Sequence, residues 1–84
     1  MKYQIYLVAN QTLEQYLRAN NVTKKQISHT FISKMCKLLF ETDNASEFRQ
    51  MKEFYLAKYT SPITSILTFN EDRFIENDED WLRY

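Results

Sequence analysis

A chain that contains no glycine is barred from many local shapes before any pattern is read. Phosphate-binding loops, the dinucleotide fingerprint, the nucleophile elbow and the EF-hand loop all need glycine for a positive φ or a close backbone approach. Those functions are excluded together. Tight two-residue hairpins are disfavoured for the same reason, while asparagine remains able to take the left-handed conformation at a helix end. The expectation is a helical chain whose elements stop at Asn residues.

Residues 23–40, TKKQISHTFISKMCKLLF, carry the strongest helical pattern. Thr23 and Gln26 have the spacing of a capping box, which starts a helix at about Lys24. At 100° per residue, Ile27, Phe31, Ile32, Met35, Leu38 and Leu39 fall on one arc, as in a core-facing helix. Gln26, Thr30, Ser33, Lys34 and Lys37 fall opposite. That side, with Lys24 and Lys25 at its start, offers donors and positive charge without a carboxylate before Glu41. It suits a phosphate backbone or an acidic protein patch, and an ordinary solvated face is the competing reading.

Around that segment the chain reads as a series of short elements. Residues 1–8 alternate Tyr3, Ile5 and Leu7, which fits a strand or a short helix, and a lone strand would need a partner. A second capping box at Thr12 and Gln15 opens a helix to about Asn20, with Leu13, Tyr16 and Leu17 inward. Asn44 and Glu47 cap a third helix, whose stripe is Phe48, Met51, Tyr55, Leu56 and Tyr59. Phe54 lies off the stripe. Ser61 and Pro62 restart a helix containing Ile63, Ile66 and Leu67, and Asn70 and Asp78 cap shorter turns carrying Phe74, Ile75 and Trp81. The predicted fold is all-α, a compact single domain over residues 1–84 made of about five short helices.

At 84 residues there is room for one core, built from six Phe, six Tyr and one Trp. The single cysteine, Cys36, cannot form an internal disulfide and fits a reducing, cytoplasmic compartment. No segment approaches the ~18 apolar residues of a membrane span, so no membrane association is expected. Net charge is zero, yet the signs are segregated. Residues 1–40 hold six bases against Glu14 alone, and residues 41–84 hold five bases against ten acids. One half is therefore at +5 and the other at −5, which leaves a basic surface available in a neutral protein.

Catalysis and metal binding find little support. His29 and Cys36, each the sole residue of its kind, are seven positions apart, about 10 Å along a helix, too far for a shared zinc or a nucleophile–base pair. The acidic run Glu71, Asp72, Glu76, Asp78, Glu79 and Asp80 lacks the ligand spacing of a cation loop. No catalytic residue, cofactor or metal site is expected. With Phe74 and Trp81 among them, these carboxylates could instead form a surface that enters a nucleic-acid-binding groove on another protein. Phe54 and Phe40 are further candidate anchors for a partner.

Two resemblances follow from these motifs. Residues 12–40 resemble the opening of a helix-turn-helix repressor domain, through Leu13, Tyr16-Leu17, Asn20-Asn21 and Thr23, then Gln26-Ile27-Ser28. In that family a glycine turn leads to a recognition helix, whereas here the chain runs through His29-Thr30-Phe31-Ile32. Residues 12–84 look like the YozE-type small proteins of Firmicutes, through Tyr16-Leu17, Ile27-Ser28, Asp43, the Phe48, Met51, Tyr55-Leu56 helix, Thr68-Phe69-Asn70-Glu71, and Trp81 with Tyr84. The family's Phe-Pro-Lys segment is absent. That resemblance implies a sterile-alpha-motif-like helical fold and nucleic-acid or protein binding.

Two functional expectations result. The first is a non-enzymatic module of bacterial or phage type that binds DNA through Lys24, Lys25, Gln26, Thr30, Ser33, Lys34 and Lys37. The second is a protein-interaction module, such as an inhibitor of a host protein made by a mobile element. It would use Phe54, Glu71, Asp72, Phe74, Glu76, Asp78 and Trp81.

Overall fold

The segment that was ambiguous in sequence is the strand on which the fold is built. A computed structural model of the chain describes residues 2–71, 73 and 74. Strand β1, Tyr3–Ala9, is followed by helix α1, Asn10–Asn20, a 3-10 turn at Lys24–Gln26 and helix α2, His29–Met35. Strand β2, Lys37–Thr42, helix α3, Ala45–Tyr59, and strands β3, Thr64–Asn70, and β4, Arg73–Phe74, complete it. The strands form one sheet in the order β2-β1-β3-β4, and every neighbouring pair is antiparallel.

The all-α expectation, whether sterile-alpha-motif-like or helix-turn-helix-like, is therefore overturned. The protein is a small α+β domain, with three helices on a sheet of three full strands extended by the two-residue β4. The physical reason lies in β1. Tyr3, Ile5 and Val8 are all buried, so this strand is covered on both faces and its backbone must be paired on both edges. Residues 37–42 and 64–70 supply those edges.

Alternation along β1 sends Tyr3 and Ile5 to one face, with Phe48 of α3. It sends Tyr6 and Val8 to the other, with Leu13 of α1 and Phe31 and Ile32 of α2. The sheet is thus sandwiched between α3 and the α1–α2 pair. Phe48 is fully buried and stacks on Tyr3 at 5.0 Å between ring centroids. On the other face Tyr16 stacks on Phe31 at 4.1 Å. Burial of each such ring is worth about 2–3 kcal/mol.

The predicted rod over residues 23–40 is broken in three. Gln26 does reach back, its Oε1 accepting from the Thr23 N–H at 3.0 Å, but only a 3-10 turn forms. In a continuous helix the Ser28 N–H would bond to the Lys24 carbonyl. It is instead donated to the Tyr16 hydroxyl at 3.1 Å, and Ser28 Oγ accepts from the Phe31 N–H at 3.2 Å to cap a new helix. That helix ends at Met35. The apolar run Leu38-Leu39-Phe40 then joins β1 as a strand, with a register shift opposite Ile5 and Tyr6 that leaves Leu39 without a partner, a β-bulge. Met35 and Leu38, expected in the core, are 52% and 46% exposed.

Helix α3 stands where the sequence places it, with Asn44 Oδ1 accepting from the Glu47 N–H at 3.0 Å. Helix α1 begins two residues before Thr12 and has no side-chain cap, so that capping box goes unused. It ends as expected, with Asn21 left-handed at φ 52°. The helix expected after Pro62 is strand β3, rich in Thr and Ile. Ser61 Oγ accepts from the Ile63 and Thr64 N–H groups, turning the chain into that strand rather than capping a helix. A tight connection also exists without glycine. Asn70 pairs with Arg73, and Glu71 takes φ 56°, at a cost of about 1–2 kcal/mol. Its N–H donates to the Lys2 carbonyl at 2.7 Å.

Candidate nucleic-acid interface

The seven residues predicted to form a basic helical face lie on three consecutive elements. Lys24, Lys25 and Gln26 form the 3-10 turn, Thr30, Ser33 and Lys34 lie on α2, and Lys37 opens β2. All seven are exposed. In α2 the inward residues are Phe31 and Ile32, so His29, Thr30, Ser33 and Lys34 are turned to solvent. The single helical face is gone. A surface free of carboxylates in sequence from Gln15 to Phe40 remains, folded over the outside of the α1–α2 layer.

Several contacts fix this surface to the core. The Tyr16 hydroxyl holds the Ser28 amide and so ties α1 to the start of α2. This hydrogen bond draws the Tyr16 phenol below its usual pKa. Lys24 borders a shallow groove with Asn10, Leu13, Glu14, Leu17 and Ser65. Glu14 is therefore the acid nearest in kind to this surface, and it sits beside only its first lysine. Among the described residues Lys34 and Lys37 make no ion pair.

The boundary of the surface is set on β2. Glu41 Oε2 accepts from Gln4 Nε2 at 2.8 Å, and Glu41 Oε1 lies 3.4 Å from Lys2 Nζ. The Gln4 hydrogen bond, aided by Lys2, lowers the Glu41 pKa. Tyr6, pairing with Leu38 on the same strand pair, has its pKa raised by burial and then by the charges of Glu41 and Cys36. Cys36 is half-buried and its thiol is pushed up to about 11 by desolvation. It is therefore a protonated packing group, as expected. It lies beyond one end of α2 and His29 at the other, and no metal-holding group of His, Cys, Asp or Glu occurs among the described residues.

The residues proposed for a protein partner do not assemble into one surface. Phe54 is 52% exposed on α3, edge-on to Tyr55, with Lys58 Nζ 5.5 Å from its ring centre. Phe74 is half-buried and packs against Phe69 in the core at 5.8 Å. Phe40 packs towards Phe48 and is no free anchor. Glu71 forms the β3–β4 turn, and Asp72, Glu76, Asp78 and Trp81 lie outside the described residues. Sequence reasoning missed the exposure of Met35 and Leu38, which flank Lys34 and Lys37. The run of three consecutive apolar residues ending at Phe40 was the available signal, since it overfills a helical stripe.

The chain matches no family model, and no curated protein or solved structure is similar to it at a significant level. Nothing there bears on the YozE-type resemblance. Among the described residues no helix is long and apolar enough to cross a membrane.

Proposed function

We propose that this chain is a small, non-enzymatic binding module that holds nucleic acid on the surface formed by the 3-10 turn, α2 and the start of β2. Lys24, Lys25, Lys34 and Lys37 contact phosphates, and Gln26, Thr30 and Ser33 add hydrogen bonds. One observation carries this reading: all seven side chains are exposed on a stretch without a carboxylate. Phosphate contacts of this kind give affinity and position rather than sequence selection. The cytoplasm is the compartment that suits it, because Cys36 stays reduced there.

A salt titration tests the proposal. Four phosphate contacts on duplex DNA give a log–log slope of about −3.6. Changing any one of the four lysines to Gln should reduce the slope by about 0.9. Absence of binding at low salt would overturn the reading. The second reading, a protein-interaction module, draws on the exposure of Phe54 and of Ile63, the latter 75% exposed. It requires Phe54→Ala to abolish partner capture, and unchanged capture rejects it.

A further inference from the structure

The described chain ends beside the proposed binding surface. Strand β4 lies against the 3-10 turn that carries Lys24 and Lys25, and Phe74 packs into the core on the α1–α2 side. The residues that follow read IENDEDWLRY, so Glu76, Asp78, Glu79 and Asp80 come within six positions of Phe74. An extended chain covers about 3.3–3.6 Å per residue. Glu76 is thus within about 7 Å of Phe74 along the chain, and Asp80 within about 21 Å. Four carboxylates are tethered next to a basic surface whose own elements supply none. Tethering at such a distance gives a high effective concentration without requiring a strong contact.

We infer that the acidic residues 76–80 of this same chain occupy the Lys24–Lys25 end of the surface and compete with nucleic acid for it. This rests on the binding function proposed above and adds its regulation: the bound state is reached only by displacing the chain's own carboxylates. The contact is one of exposed charges, so it weakens as salt rises and the screening length contracts. Low salt therefore favours both the internal contact and the external one. The net salt slope of the intact chain is shallower than that of a chain without these acids.

The test compares the full chain with the variant Glu76→Gln, Asp78→Asn, Glu79→Gln and Asp80→Asn. Backbone amide spectra are first recorded without nucleic acid. Resonances of residues 23–26 and of Phe74 should move in the variant while those of α3 stay in place. Binding of a short duplex should then tighten about tenfold at low salt, with a steeper salt slope. A control variant, Asp43→Asn with Glu53→Gln, should gain less per charge removed, which separates local competition from a change of net charge. Resonances that stay in place, with an affinity gain per charge equal to the control's, overturn the inference. The binding proposal would survive that result. Shifted resonances with no duplex binding by either chain would instead uphold the internal contact and reject the binding proposal.

Discussion

The two faces of the sheet are covered in different ways. One face carries a single helix, α3, of 15 residues, with Phe48 fully buried against Tyr3 and Ile5. Its outer side mixes signs, with Glu47, Arg49, Lys52, Glu53 and Lys58. The opposite face is covered by two shorter helices, α1 of 11 residues and α2 of seven, joined by the 3-10 turn. Glu14 is the only carboxylate of that layer, against Arg18, Lys24, Lys25 and Lys34. A mixed surface is soluble without attracting either sign, whereas a surface of one sign attracts its opposite. The comparison assigns stability mainly to the α3 face and recognition to the other.

Core truncation gives the largest expected effects. Phe48→Ala removes a fully buried ring and should cost about 3–5 kcal/mol in urea unfolding, near the upper end for such changes. Phe31→Ala should fall near the lower end, because Phe31 keeps 7% exposure at the edge of the α1–α2 layer. If Phe31→Ala proves the costlier of the two, the division between the faces fails. A domain of this size has a total stability of about 5–15 kcal/mol, so either variant should show a clearly lower midpoint.

The helix caps sharpen the comparison at a smaller scale. Asn44→Ala and Ser28→Ala each remove a side-chain cap and should cost about 1 kcal/mol. Thr12→Ala should stay within about 0.5 kcal/mol, since α1 starts at Asn10 without using that side chain. A cost of a full cap at Thr12 would place the start of α1 where the sequence pattern put it.

Cys36 reports on the seam between α2 and β2. With its pKa near 11 instead of 9.0, the thiolate fraction near pH 8 is about a hundredfold lower than in an unfolded chain, and alkylation slows accordingly. Because the folded pKa lies above the unfolded one, this thiol's contribution to stability is complete below pH 9 and is lost as pH rises towards 11. A Cys36 that reacts as fast as free cysteine would mean that the seam is open. The smallest effect is at Glu41. Its lowered pKa gives stability that is present above the ordinary carboxylate range and lost as pH falls through the lowered value. Glu41→Gln should flatten that acid limb slightly and leave neutral stability almost unchanged.

How much of this was legible depended on whether the signal was local. Asn44 with Glu47, and Asn21 in its left-handed turn, act within a few residues, and both appear where sequence reasoning placed them. The exposed lysines of residues 24–37 were also legible as a polar set. The break at Ser28 was not, because it depends on the Tyr16 hydroxyl, twelve positions away. Residues 37–42 and 64–70 become strands through pairing with β1, a non-local term that helical periodicity does not contain. Ile63, Thr64, Ile66 and Thr68 did carry β-branched character, yet the Ser61-Pro62 pair was read as a helix start. The absence of glycine argued against a tight hairpin, and Glu71 supplies the left-handed residue instead.

The central claim is that recognition belongs to the α1–α2 side of the sheet and not to α3. Amide chemical-shift changes during a titration with a short duplex, at low salt and with full assignments, test it most directly. The account predicts shifts at Lys24, Lys25, Thr30, Ser33, Lys34 and Lys37, with residues 45–59 unmoved. Shifts concentrated on α3, or none on either face, would contradict it.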